Sequence, residues 1–239
     1  MIASICIGRG GSRGIPGKNY MNLKGHPLMA YPLMAATGSK YIDAVYFSTE
    51  DPLLANIANG YKASVLHRPR ELATDTALSE DVFQHAYSYI ESIAEEKIEF
   101  VVLQFANAPC CTSAMIDEMI ETLRECEQED SIATMSKLNE YSPYRMRKIS
   151  DYGRMVPFLD GLDWDRISGD RDSGTDSYIY DCSCAVVKPY CITDMDSSMP
   201  PQRWLGHSIL PYIQKDAACD ADFPYQWGQL EYWIERNWK

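Results

Sequence analysis

The segment Ile5-Cys-Ile-Gly-Arg-Gly-Gly-Ser-Arg-Gly-Ile-Pro-Gly-Lys18-Asn19 constrains this chain most, because an apolar strand runs directly into a loop with five glycines and three cations. Gly10, Gly11 and their fellow glycines let backbone N–H groups turn inward and approach an anion closely, while Arg9, Arg13 and Lys18 supply positive charge beside them. Ser12 adds a hydroxyl donor. The pattern predicts a phosphate-holding loop. It is not a Walker loop, since Ser12 stands where that motif needs its first glycine and Asn19 follows Gly17-Lys18 in place of Ser or Thr. The dinucleotide fingerprint fails as well, with Arg13 at the third glycine position, although Gly14 satisfies a looser spacing and keeps a nicotinamide-dependent oxidoreductase among the readings. A glycine-rich surface turn with incidental basic residues is the plainer alternative. Against it stands the placement after an N-terminal strand, where open α/β sheets set their ligand crevice.

The rest of the chain alternates strand and helix signals. Strands are predicted at Ala3 to Ile7, Ala44 to Ser48, Phe100 to Phe105, Ser131 to Ser136 and Tyr178 to Lys188, and helices at Pro27 to Ser39, Pro52 to Gly60, Ser79 to Glu96, Ser113 to Glu127 and Trp227 to Trp238. Ser79 is placed to cap its helix, with Glu80 and Asp81 in the first turn. Phe100 to Phe105, apolar apart from Gln104, suits a central strand covered on both faces. Such alternation predicts an α/β, Rossmann-like, mostly parallel sheet flanked by helices, with right-handed crossovers. One domain is expected over 1–239. From 139 to 177 the periodicity disappears, which predicts an inserted arm or lid.

A net charge of -12 excludes a basic nucleic-acid-binding face and isolates the cationic loop as a local exception. No apolar stretch is long enough to span a bilayer, and Met1 leads straight into a strand without a secretory leader, so a cytoplasmic protein is expected. The eight cysteines include no paired Cys-x-x-Cys knuckles and are expected to be reduced, structural thiols. Asp220 and Asp222, one residue apart on an extended segment, point to one side and can share a hard cation such as Mg²⁺. An acidic, solvated surface pair is the other reading of that spacing.

At this point four stretches, in order, carry a resemblance. Arg9 to Asn19 resembles the signature loop of the cytidylyltransferases that activate acidic sugars, the CMP-sialic acid synthetase family with its octulosonate, pseudaminate and phosphonate relatives. Val45-Tyr-Phe-Ser-Thr-Glu-Asp51, His67-Arg-Pro-Arg-Glu-Leu-Ala-Thr-Asp-Thr-Ala-Leu-Ser79 and Asp220-Ala-Asp-Phe-Pro-Tyr-Gln-Trp-Gly-Gln-Leu-Glu231 are similar to the family's later segments. The resemblance implies a nucleotidyltransferase-type fold and CMP transfer from CTP to the anomeric hydroxyl of a 2-keto sugar acid, with pyrophosphate released. It implies Lys18 and Arg9 as the catalytic cations, and Gly10, Gly11, Ser12, Arg13, Asn19, Arg68 and Ser79 as nucleotide-binding residues. Gln104 would face the sugar, Asp220 and Asp222 would hold Mg²⁺, and the arm would pack against a second subunit as a homodimer.

Two departures bear on the acceptor. The family often carries Asp where this chain has Gln226. Phe105-Ala-Asn-Ala-Pro-Cys-Cys-Thr112 also lacks the arginine expected after the Gln104 strand, leaving Arg145, Arg147, Arg166 or Arg171 to supply the cation. A phosphonate acceptor, or a protein that binds nucleotide without turnover, are the alternatives these departures leave open.

Overall fold

The computed structural model describes residues 1–12, 14–171 and 174–238, and a seven-stranded sheet forms its centre. The strands are β1 (Ile2–Ile7), β2 (Ala44–Thr49), β3 (Ser64–His67), β4 (Phe100–Phe105), β5 (Ser131–Lys137), β6 (Tyr178–Val187) and β7 (Ile209–Ile213). Across the sheet they run β7-β5-β6-β4-β1-β2-β3. All pairings are parallel except those of β6, which is antiparallel to both β4 and β5. The reversal brings the start of β6, rather than its end, to the carboxyl edge of its neighbours. The pairing shifts between Tyr180 and Ala185, where Cys182 takes a φ of +62°. A β-bulge of this kind re-aims side chains at the sheet rim.

Helices α1 (Ala30–Gly38), α2 (Pro52–Gly60), α3 (Ser79–Ile93), α4 (Ser113–Glu125) and α5 (Trp227–Asn237) cover the sheet. Alternation along β4 sends Val101 and Leu103 against Phe83, Ala86 and Ile90 of α3. Phe100 and Val102 go to the opposite face against Ile116, Met119 and Ile120 of α4. The helix predicted from Pro27 starts later, because Pro27 pairs with Asn22 in a two-residue hairpin. Ser79 does not cap α3: it is the first helical residue, and the capping position is held by Leu78 without a side-chain bond. Val82, Phe83, Ala86, Tyr87 and Ile90 are buried instead. A cap is worth about 1 kcal/mol and each large apolar side chain buried about 1.5–3 kcal/mol, so packing holds this helix.

Strands β3 and β7 escape the pattern for physical reasons. Both are sheet edges, β3 has four residues, and β7 contains Pro211, which an edge tolerates and a central strand does not. Residues 139 to 177 hold a small hairpin, Arg147–Ile149 with Met155–Pro157, and single helical turns at Asn139–Tyr141 and Trp164–Arg166. Ile149 and Met155, each 71% exposed, leave an apolar side of that hairpin open. Among the described residues no helix is long and apolar enough to cross a membrane.

Candidate active site

The loop after β1 occupies the carboxyl edge of the sheet and forms one wall of a cleft of about 240 Å³. Arg9, Gly11, Ser12, Lys18, Asn19, Arg68, Ser79 and Asn107 line it together with Thr74 and Asp75. Most of the residues proposed from the sequence therefore meet at one place. Arg13 lies outside the described residues. Gly10 turns its N–H away from the cleft onto Glu50 Oε1 at 2.8 Å, and its missing Cβ leaves room for the Asp51 carboxylate.

Among the described residues, the loop cations Arg9 and Lys18 each already have an anionic partner. Arg9 reaches Asp75 Oδ1 at 2.5 Å. Lys18 Nζ lies 2.6 Å from Asp222 Oδ1 and 204 positions away in sequence. Gly17 at φ +70° permits the turn that begins the Lys18–Tyr20 helical turn. Asn19 is buried, with Nδ2 donating to the Arg9 carbonyl at 3.1 Å and Oδ1 without a partner. Arg68 is 8% exposed and donates inward to the Ser48 carbonyl at 2.7 Å and the Gly8 carbonyl at 3.3 Å. Burial lowers its pKa, against the opposing pull of Glu50. Its first task is thus to fasten β2 to the start of the phosphate loop, with an edge left on the cleft.

Gln104 does not line this cleft. It is fully buried, accepting from Ser4 Oγ at 3.2 Å with Nε2 unpartnered. The two-residue period of β4 points it to the Val102 face, beneath the sheet surface and away from the cleft. The groups that do stand at the end of β4 are the next odd turn of chain, above all Asn107. Sequence reading passed over Asn107, whose only signal is a polar residue two places beyond a buried strand.

Asn107 Nδ2 lies 3.1 Å from Asp220 Oδ2 and 3.4 Å from Asp222 Oδ1, so the two carboxylates converge on one point. Burial, and the Asp222 carboxylate beside it, push the Asp220 carboxyl up to about 6, with Lys18 opposing. Nearby, burial and the Asp220 charge raise the Cys182 and Cys219 thiols, the latter to about 12, which keeps them protonated and unsuited to nucleophilic or soft-metal chemistry. All eight cysteines are free. Two converging hard oxygen donors fit Mg²⁺, which typically takes one or two protein carboxylates and completes its shell with phosphate and water. Among the described residues no group of three or more His, Cys, Asp or Glu side chains forms a fuller cage.

The loop and the acid segment touch directly. A Cβ on Gly14 would sit 2.1 Å from the Asp222 carbonyl oxygen, a contact only glycine allows. Ala221 N donates to the Asn107 carbonyl at 2.8 Å. Ala218 N donates to Ser136 Oγ at 2.8 Å, and that hydroxyl donates to the buried Asp181 carboxylate at 2.8 Å.

A glycine-rich, cationic loop at the end of β1 faces a convergent carboxylate pair on a mostly parallel sheet, an α/β fold of the nucleotidyltransferase type. The cytidylyltransferase family model matches residues 3–150, and the chain belongs to that family. It is 32% identical over 222 residues to the N-acylneuraminate cytidylyltransferase of Escherichia coli, covering 92% of this chain and 49% of that protein. It is 30% identical over 151 residues to the pseudaminic acid cytidylyltransferase and UDP-2,4-diacetamido-2,4,6-trideoxy-beta-L-altropyranose hydrolase of Helicobacter pylori, covering 59% of this chain and 27% of that protein. The chain spans about half the length of the N-acylneuraminate cytidylyltransferases it matches. In fold it is similar to a CMP:2-keto-3-deoxy-manno-octonic acid synthetase solved with CTP, at a TM-score of 0.67, 10% identity and 98% coverage of both chains. A 4-diphosphocytidyl-2C-methyl-D-erythritol synthase from Anaerococcus prevotii follows at 0.60, with 12% identity and 98% and 96% coverage.

Proposed function

We propose that this chain transfers CMP from CTP to the anomeric hydroxyl of an acidic 2-keto sugar. The observation that carries the reading is the convergence of Lys18, Asp222, Asn107 and Asp220 across the mouth of the cleft. It sets phosphate-binding cations against a carboxylate pair suited to Mg²⁺. Relatives named for N-acylneuraminate and pseudaminic acid cytidylyl transfer support the acceptor class.

In this reading the triphosphate lies along the loop, with Ser12 and Gly11 beside it and Arg9 and Lys18 on its oxygens. Incoming phosphate replaces Asp75 and Asp222 as the anion these two cations face. The acceptor hydroxyl oxygen attacks the α-phosphorus in line and gives its proton to water. A new oxygen–phosphorus bond forms as the α–β bridging bond breaks, and pyrophosphate leaves. Lys18 stabilises the charge that builds on the phosphate oxygens, an electrostatic and positioning role in a reaction with little covalent work for the protein. Asp220 and Asp222 would hold Mg²⁺, which supplies charge neutralisation and lowers the pKa of a hydroxyl bound to it. Asn107 keeps the two carboxylates together.

Cys110 and Cys111, in the stretch where the resemblance implies an acceptor arginine, are both fully buried. Acceptor recognition therefore draws on other residues. Pyrophosphate release with CTP and Mg²⁺, across sialic, octulosonic, pseudaminic and legionaminic acids and small phosphonates, tests the proposal. Release with one sugar acid is the expected result. Release with a phosphonate alone moves the chain to that acceptor, and CTP binding without release from any acceptor overturns the transferase reading. The open apolar side of the 147–157 hairpin is, in the same reading, the contact of a homodimer.

A further inference from the structure

Asp222 is exposed, so no surrounding core fixes the direction of its carboxylate. Its backbone must do so. The Gln226 side chain supplies the constraint: Oε1 accepts from Asp222 N at 2.8 Å and from Phe223 N at 2.7 Å. Both partners are donors, so the carboxamide oxygen, not its nitrogen, faces them. Asp222 N is also 3.2 Å from the Asp220 carbonyl, and Gln226 N donates to the Phe223 carbonyl at 3.0 Å. The turn between the two acids and α5 is thereby closed on itself.

We propose that Gln226 is a positioning residue for the carboxylate pair, holding the Asp222 backbone so that Oδ1 meets Lys18 and Asn107 and stays beside Asp220. The inference rests on the reading that Asp220 and Asp222 take a divalent cation with CTP. The role of Gln226 is separable from holding the fold, because α5 is anchored independently by Leu230, Trp233 and Ile234, packed among Leu23, Leu28 and Tyr31. Trp233 Nε1 also donates to Gln214 Oε1 at 3.1 Å.

Gln226→Met keeps the side-chain length and removes the acceptor, whereas Gln226→Glu keeps an acceptor oxygen at the same reach. Amide hydrogen exchange on protein free of metal and nucleotide is the first readout. Asp222 and Phe223 amides are expected to exchange faster in Gln226→Met by about tenfold, the scale of one lost hydrogen bond, and to recover in Gln226→Glu. CTP binding by calorimetry at graded Mg²⁺ is the second. The half-saturating Mg²⁺ concentration is expected to rise about tenfold in Gln226→Met, the low end for groups that orient metal ligands. Binding at saturating Mg²⁺, and Tm, should stay near the wild-type values. A Mg²⁺ dependence unchanged in Gln226→Met, whatever the exchange shows, overturns the proposal, as does failure of Gln226→Glu to restore it. Wild-type CTP binding that ignores Mg²⁺ overturns the underlying metal reading instead.

Discussion

The loop from Gly8 to Lys18 and the segment from Gln214 to Gln226 face each other across one cleft and are held in different ways. The loop owes its shape largely to its own backbone, with glycines at the close approaches, and Arg68 and Glu50 are among the groups that brace it from outside. The acid segment borrows much of its shape from residues spread over the chain, Ser136, Asn107 and Trp233, and closes its own turn through Gln226. Damage to the first should therefore strike phosphate chemistry directly. Damage to the second should strike the cation requirement, even from substitutions that touch no substrate.

The largest effect expected on the loop side is from Lys18→Ala, which should lower turnover by about two orders of magnitude or more while CTP binding falls less. Equal losses in steady-state turnover and in CTP affinity would show that Lys18 binds the ground state and transition state alike. On the segment side, Asp222→Asn should raise the Mg²⁺ needed for half-maximal activity by about ten- to a hundredfold. An unchanged titration would remove Asp222 from the cation site and erase the contrast between the two regions.

Gly14→Ala tests the seam between them. The added methyl would meet the Asp222 carbonyl, a backbone atom that cannot swing aside, so loop and segment must separate. Activity should fall by up to about a hundredfold, the scale for a misplacement of about 1 Å in a site, with little change in Tm because both partners lie at the rim. Wild-type kinetics in this variant would mean that the two walls need not touch.

A smaller effect belongs to pH. The Asp220 carboxyl is pushed up to about 6 by burial and by Asp222, above the usual carboxylate range, so the folded chain keeps a proton that the unfolded chain has released. That contribution to stability is complete below the unfolded carboxylate range and is lost as pH rises through about 6. Between about pH 4 and about pH 6 the ligand-free wild type should lose Tm relative to Asp220→Asn, while Mg²⁺ should bind better as pH rises through about 6 and it ceases to compete with the proton. Parallel melting curves for the two proteins would show that the environment of Asp220 does not disfavour its charge.

The least effect on the cleft should come from Ile149→Glu combined with Met155→Glu, on the exposed hairpin whose residues do not line it. CTP affinity should stay within about twofold, since surface substitutions away from a site rarely matter, while the elution volume shifts from dimer to monomer. A dimer that survives both charges would place the contact elsewhere.

Much of the phosphate half was legible in the sequence because its information is local. A strand, a run of glycines, and cations at fixed offsets lie within one stretch, and hydrophobic period alone located β1, β2, β4, β5 and the helices that cover them. The edge strands β3 and β7 were not, being short or carrying proline without a buried period. The cap assigned to Ser79 failed because apolar packing settles the start of α3 more strongly than one hydroxyl can. Gln104 lies off the cleft for a related reason: the two-residue period of a strand chooses its face, and this one turns it inward to Ser4.

The sequence by itself determined an α/β sheet with a phosphate loop after its first strand, and named two acids near the end of the chain as partners for it. Only the tertiary structure decided that Asn107 joins those acids, that Ser136 and Gln226 hold their backbone, and that Lys18 meets Asp222. Apart from the local Gln226 bond, those contacts join residues brought together by strand order, which depends on the burial of whole faces and leaves no mark in the spacing of any one segment.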